Sequence, residues 1–189
     1  MNKLARNCTF CAALTVLVTV AHAQVSQTNI VSDGFKSALS KTPKLVNPLG
    51  LAFGPNSPLW VANEGSSMST QFWDGGKVDP INVMVPPSQP SGVVYNPGTG
   101  FTVTSGGHSE PASYIFVTQT GRIAGWAPGV NLTTAIDAVD NVVPLSSYKG
   151  VEIASFNGKQ YLYAANFHEG KIDMFDTNFK LMGGSFQYV

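Results

Sequence analysis

The chain has 189 residues with 11 basic and 11 acidic side chains, and only 12% of its residues are charged. It carries no basic stripe of the kind that binds nucleic acid, so its composition argues against a nucleic-acid partner. Both cysteines, Cys8 and Cys11, lie within the first 23 residues. The rest of the chain therefore has no cysteine with which to form a disulfide or a thiolate metal site.

The first 23 residues have the three parts of a secretory signal peptide. Lys3 and Arg6 give a positive start, an uncharged apolar run covers residues 10–21, and Ala21-His22-Ala23 matches the small-x-small cleavage pattern. The apolar run is shorter than the roughly 20 residues that a membrane span needs. We therefore predict a signal peptide at 1–23, export to the periplasm or the medium, and no membrane span in the mature chain. That mature chain has nine basic and eleven acidic residues, a net charge of −2.

Residues 24–46 form a polar stretch with a few apolar positions, including Ile30, Val31 and Phe35. The pattern is compatible with a loop or with a short helix. We predict a lead-in segment that packs on the main domain.

From residue 47 onward a unit recurs three times, at about 47–89, 90–147 and 148–189. Each unit has a glycine, an apolar strand, a hairpin turn, an aromatic-rich strand, a polar turn and a third strand. The glycines are Gly50, Gly92 and Gly150. Asn157-Gly158, between two alternating runs, is the strongest hairpin signal in the chain. The second unit is longer because residues 98–113 are inserted in it. We predict that residues 101–104 extend a strand and that 105–112 form an exposed loop tip.

A small antiparallel sheet that recurs every 40–50 residues or so is typical of a β-propeller. One such sheet cannot bury both of its faces alone, so the sheets stack radially. A glycine on the innermost strand fits the crowding of backbones near the central channel. The sequence therefore predicts an all-β fold with about three propeller blades, part of a six-bladed parent, because propellers usually have about 4–8 blades. We expect a truncated product rather than an open arc that pairs with another chain, and we expect self-association through any open edge.

Three stretches together resemble a known family: "NPLGLAFGPNSPLWVANEG", "YIFVTQTGRIAGWAP" and "YKGVEIA" followed by "YLYAANFHEGKIDMFDTNF". The resemblance is to an uncharacterised family of secreted, mostly bacterial proteins, some of which carry a PEP-CTERM sorting tail. It implies an NHL-like propeller and an exported location, but no activity for any residue. Family members are usually about twice as long, so this chain resembles an N-terminal part of one.

Polar residues follow the second strand of the units and form the candidate ligand-binding site. These residues are Asn63, Glu64, Asn166, His168 and Glu169, with Gln119 in the second unit. One interpretation is a ring of ligands for calcium or zinc, similar to that of lactonase-like propellers, in which a metal-bound water attacks an ester or lactone. The other is that asparagine simply suits a left-handed turn and hydrogen-bonds its own backbone. We favour the second interpretation because the asparagine recurs with the unit.

Catalytic residues and metal ligands stay unassigned. His168 has no carboxylate partner in view beyond the adjacent Glu169, and we expect a surface histidine. The chain contains no Gly-x-Ser-x-Gly nucleophile elbow, and no cofactor is evident. Aromatic residues such as Trp60, Trp73 and Phe167 are expected to pack between blades. We therefore predict an exported binding or scaffold module for an unknown protein or small-molecule ligand, with a metal-assisted hydrolase or lyase of the lactonase-like type as the alternative.

The signal-peptide assignment makes a direct prediction. When the full chain is expressed in an export-competent bacterium, the exported product should begin at or near Gln24, because signal peptidase cuts after small residues such as Ala21 and Ala23. N-terminal sequencing and intact mass of the exported protein measure this. Substitution of Ala23 by a bulky residue is the matched control and should leave the precursor uncleaved. Exported protein that still carries Lys3 and Arg6 would contradict the assignment.

Overall fold

A computed structural model describes residues 26–183, apart from 87–88 and 141–144. The predicted signal peptide lies outside the described residues. Within the described ranges the chain is all-β and contains no helix long and apolar enough to cross a membrane. Its strands form three main antiparallel sheets, one for each predicted unit.

Sheet 1 contains the first repeat unit. Its strands follow one another in the order of the chain, with a short 3₁₀ turn at Asp74–Gly76 and the last strand paired on the third. They are β3 (Pro48–Ala52), β4 (Leu59–Asn63), β5 (Met68–Trp73), β6 (Lys77–Val78) and β7 (Val83–Met84).

Sheet 2 contains the second unit and the predicted insertion. Its four strands are β8 (Pro90–Tyr95), β11 (Tyr114–Thr118), β12 (Arg122–Trp126) and β13 (Ile136–Asp140). The inserted segment is a separate hairpin of β9 (Thr102–Ser105) and β10 (His108–Pro111). The prediction of a loop tip at 105–112 is therefore wrong. The segment is exposed at β10 as expected, but it pairs as a strand, and Ala112 at its end is buried in the core.

Sheet 3 contains the third unit, in strands β14 (Tyr148–Phe156), β15 (Lys159–Asn166) and β16 (Lys171–Phe175). The chain then turns back and starts to pair with β16. Leu181 bridges Phe175, and the Met182 amide donates to the Met174 carbonyl at 2.8 Å. The third unit thus begins a fourth strand, one more than the three that the sequence predicted.

The lead-in segment contains two short parallel strands rather than a helix: β1 (Val31–Ser32) and β2 (Ser40–Lys41). It packs beside sheet 1, as predicted, where Ile30 closely approaches Gly76. Together with sheet 1 it lines a groove of about 580 Å³.

The first strand of each sheet has the same bulge followed by the same glycine. Pro48 pairs with Asn63 but Gly50 pairs with Ala62, so Leu49 is an extra residue in the ladder. The same skip occurs before the other two unit glycines, at 90–92 and at 148–150. Such a bulge bends its strand and increases the local twist. Three identical irregularities at one position show that the three units share one local structure.

The unit glycines allow neighbouring sheets to approach each other closely at these first strands. A Cβ on Gly50 would lie 2.8 Å from the Gly92 Cα, and a Cβ on Gly92 would lie 3.4 Å from the Gly150 Cα. Real Cβ atoms essentially never come as close as the first distance. The prediction that these glycines lie where backbones crowd is confirmed for Gly50 and Gly92.

Two hydrophobic cores fill the spaces between the sheets. Between sheets 1 and 2, Trp60 stacks on Tyr114 with ring centroids 4.2 Å apart and also contacts Trp126. Between sheets 2 and 3, Ile115 and Leu162 pack together with residues of the inserted hairpin. The expected inter-sheet packing of aromatic residues is confirmed for Trp60, but it is wrong for Trp73 and Phe167, which are exposed.

The close approach at Gly50 predicts a stability cost. Gly50→Ala places a methyl group against the Gly92 backbone, which cannot rotate away, so we expect the free energy of unfolding to fall by about 1–3 kcal/mol. Urea unfolding followed by tryptophan fluorescence measures this. Gly183→Ala is the matched control, because no heavy atom lies within 4 Å of its Cβ. Equal unfolding midpoints for the two variants would contradict the packing described here.

Candidate functional site

The predicted site residues lie at one end of the sheets, where the second strand of each unit turns into the third. Asn63 and Asn166 are the last residues of β4 and β15, and both are almost completely buried. Neither has a positive φ, whereas Asn157 in the predicted Asn-Gly hairpin does. The left-handed part of the turn interpretation is therefore wrong for both, but its hydrogen bonding to nearby backbone is confirmed. Asn63 Nδ2 donates to the Val61 and Met68 carbonyls at 3.2 and 3.3 Å, and Asn166 Oδ1 accepts the Glu169 amide at 3.3 Å. They are extended residues whose side chains point into the protein.

Asn166 organises a polar network in sheet 3. Its Nδ2 donates to Ser146 Oγ at 3.1 Å, Glu169 Oε2 at 2.7 Å and Asp173 Oδ2 at 2.9 Å. Its Oδ1 accepts from the backbone amides of Ser147 and Glu169, both at 3.3 Å. One buried amide thus connects the turn, the neighbouring strand and the segment that enters the sheet.

The two carboxylates of this network, on Glu169 and Asp173, form ion pairs with the same lysine side chain. Lys171 Nζ lies 3.1 Å from Glu169 Oε2 and 3.4 Å from Asp173 Oδ1. The hydrogen bond to Glu169 raises the pKa of Lys171, and Asp173 adds to that effect. Asp173 also accepts a hydrogen bond from the Tyr148 hydroxyl at 3.1 Å. One ammonium thus contacts both carboxylates and offsets one of their two negative charges.

The other two sheets differ from sheet 3 in the residue or in its partners at the position of Asn166, the end of the second strand. In sheet 1, Asn63 Nδ2 donates to Thr70 Oγ1 at 2.9 Å, and Thr70 occupies the position of Asp173. In sheet 2 the matching residue is Thr118, whose Oγ1 accepts the Arg122 amide at 3.0 Å. All three residues hold the same turn closed, so the recurrence noted in the sequence has a structural origin.

The remaining candidates lie on the outer side of the turns. Glu64 accepts a hydrogen bond from Asn47 Nδ2 at 3.0 Å. His168 is exposed and makes no hydrogen bond or ion pair within the described ranges. Gln119 accepts a hydrogen bond from Lys149 Nζ, and that ammonium also lies 5.8 Å from the centre of the Phe167 ring.

The structure brings together only some of the predicted residues. Asn166 and Glu169 are in contact, but no hydrogen bond or ion pair among the described residues connects them with Asn63 or Glu64. No group of three or more His, Asp or Glu side chains in the described part of the chain could hold a metal ion. Asn63, Thr118 and Asn166 therefore each hold one turn closed, and they do so separately.

Sequence reasoning missed Asp173, Lys171 and Tyr148 as members of the network in sheet 3. A signal was present, because Asn63 precedes Thr70 by the same seven residues that separate Asn166 from Asp173. That interval places the two side chains as diagonal neighbours on one face of the sheet, because Asn166 pairs with Lys171 and Asp173 with Ala164.

A second concave feature lies between the first strands of the three sheets. This groove has a volume of about 350 Å³ and is lined by three short segments and Pro97. The segments are residues 51–53, 93–95 and 151–153. Glu152 supplies a carboxylate to this groove, and one of its oxygens accepts the Ile153 amide at 2.9 Å.

Comparison with known proteins gives relatives whose names state no activity. No family model matches the chain. It is 30% identical over 149 residues to uncharacterized protein L690 of Acanthamoeba polyphaga mimivirus, covering 75% of this chain and 38% of that protein. It is 26% identical over 165 residues to uncharacterized protein R648 of the same virus, covering 83% of this chain and 40% of that protein. The chain spans about two fifths of the length of these relatives.

Among solved structures, the chain is similar to virginiamycin B lyase from Staphylococcus aureus, in a catalytically inactive histidine-to-alanine variant with quinupristin. The TM-score is 0.51 at 19% identity, over 75% of this chain and 42% of the lyase. That enzyme is a β-propeller. The likeness supports a propeller-like fold for this chain. At this level of identity it shows the fold alone.

The structural role of Asn166 is testable. Asn166→Ala removes the donor shared by two carboxylates and the acceptor of the Ser147 and Glu169 backbone amides, so we expect a loss of about 1–3 kcal/mol in the free energy of unfolding. His168→Ala is the matched control two residues away, and its exposed side chain should change stability by less than about 0.5 kcal/mol. Chemical denaturation measures both. An unchanged midpoint for Asn166→Ala would contradict the anchor role.

Proposed function

We propose that this chain is an exported binding or scaffold module built from three propeller blades of a six-bladed type, with its exposed turns presented to a protein or small-molecule ligand. The observation that supports the proposal is that the buried and the exposed side chains of the turns have different surroundings. In sheet 3 the buried Asn166 and Asp173 bond to each other, and exposed side chains such as Phe167 and His168 face outward. A surface of this kind suits recognition, because it places polar and aromatic groups on a rigid support.

The proposal includes the membership and location expected from the sequence. We propose that the chain belongs with the secreted NHL-like propeller proteins that it resembles, and that residues 1–23 direct its export. The three shared bulge-and-glycine elements support the propeller part of this proposal. The division into blades near residues 47–89, 90–147 and 148–189 agrees with the three sheets.

A metal-assisted hydrolase or lyase is the second candidate, because a propeller of similar fold is virginiamycin B lyase. Under that alternative, calcium or zinc would bind near the turn carboxylates. Two features favour the binding module instead. The ammonium of Lys171 already contacts both Glu169 and Asp173, and His168 is not oriented by a carboxylate. A general base normally needs such an orienting partner.

One experiment separates the two functions. The purified chain is analysed for bound metal, melted with and without EDTA, and incubated with quinupristin, which is then examined by liquid chromatography. For a binding module we expect no bound calcium or zinc, no change in melting temperature on chelation, and unchanged quinupristin. Active virginiamycin B lyase is the positive control. Bound metal with a lowered melting temperature on chelation, or conversion of quinupristin, would overturn the proposal in favour of the enzyme.

A further inference from the structure

Among the described residues, two apolar faces at the ends of the three-sheet stack are not covered by another of the three main sheets. The outward face of sheet 1, here called the leading face, carries Leu51 and Phe53, which are 65% and 70% exposed. The outward face of sheet 3, here called the trailing face, carries Ile172, which is 48% exposed, together with Tyr163 and Met174.

These faces correspond to surfaces that are buried elsewhere in the same chain. Leu51 follows Gly50 as Val93 follows Gly92, yet Val93 is only 5% exposed because sheet 1 covers it. In sheet 3, Gly150 pairs with Ala165, which pairs in turn with Ile172. In sheet 2, Gly92 pairs with Val117, which pairs in turn with Ile123, so Ile123 holds the position of Ile172. Ile123 is nevertheless completely buried. The leading and trailing faces are therefore the two halves of an interface that the chain already makes twice.

The glycines give this interface a register. Gly50 packs on Gly92, and Gly92 packs on Gly150, but a Cβ on Gly150 would meet no heavy atom within 4 Å. Another first strand with a glycine at this position can approach Gly150 as closely as Gly150 approaches Gly92. The first strand of sheet 1 has such a glycine, and its leading face is open.

We infer that the trailing face of this chain binds the leading face of a second copy, with Gly150 of one copy against Gly50 of the other. The interface is heterologous, and two such contacts close a two-chain ring of six sheets. Six is within the usual range of propellers, about 4–8 blades. Closure buries both apolar faces of each copy, whereas a contact between two like faces would leave the other face of each copy exposed.

The remaining features of the two faces are compatible with this arrangement. The lead-in segment occupies the outer part of the leading face, near β6, and leaves Leu51 and Phe53 open on the inner side. The carboxylate of Glu152, opposite Tyr163, lies in the groove between the first strands and can remain in solvent in the channel. The inference does not depend on which ligand the module binds or on whether it has activity.

Sedimentation equilibrium and light scattering of the purified chain test the inference. We expect a single species with the mass of two chains over a wide range of protein concentration. Gly150→Val should weaken the association by at least about tenfold, because its side chain blocks the approach of Gly50 from the second copy. It should not disturb the fold of its own chain, since the space around Gly150 is open. Circular dichroism checks that fold.

Two further variants test the direction of the contact. Leu51→Arg on the leading face should also weaken the association by at least about tenfold, whereas Phe35→Ser, at an 83% exposed position of the lead-in, should leave it unchanged. Each of the first two variants keeps one intact face, so mixing Gly150→Val with Leu51→Arg should restore a two-chain species. A purified chain that is monomeric at all concentrations, or dimers that survive both substitutions, or a mixture that stays monomeric, would overturn the inference.

Discussion

The close approach of backbones at the first strands is the constraint on which the rest of the structure depends. A bulge in each of these strands fixes the position of a glycine, and the missing side chain allows the next sheet to approach within contact of the main chain. Only at that separation can Trp60 stack on Tyr114, and Ile115 meet Leu162, across the gaps between sheets. Because core packing tolerates little excess volume, a larger residue at Gly50 would separate both the backbone contact and the aromatic contacts beyond it.

The polar position at the end of the second strand has the complementary role of fixing the turns. Asn63, Thr118 and Asn166 perform it with different partners, which shows that the requirement is for a buried hydrogen-bonding group and not for one particular chemistry. A buried hydrogen-bonded group of this kind stabilises one geometry, although the Oδ1 of Asn63 has no partner among the described residues. The outer residues of the turns are free from this requirement, and they differ in all three sheets. Differences that could specify a ligand therefore reside in the outer residues.

The strands and the unit glycines were predictable because short-range alternation and turn residues determine them directly. The roles of particular side chains were not, because these depend on which residues become neighbours after the sheets stack. Trp60 and Trp73 look alike in the sequence, yet one is buried between sheets and the other lies at the surface. For the same reason Asn166 appeared to be a turn residue: its partner Asp173 comes from the next strand, and only the strand register brings them together.

The inserted hairpin and the lead-in segment show where this architecture accepts additional chain. The hairpin packs against the later strands of sheet 2 and against the segment after β16, where the Phe101 amide donates to the Thr177 carbonyl at 2.6 Å. The lead-in packs near β6, also away from the first strands. Both additions pack at the outer part of a sheet, where there is space for side chains; the hairpin buries Val103, whereas the buried residues of the lead-in are Ser32 and Thr42. The first strands, which have no such space, carry only the single extra residue of the bulge in each of the three sheets. Tolerance of added chain therefore increases outward from the glycines, because steric crowding decreases in that direction.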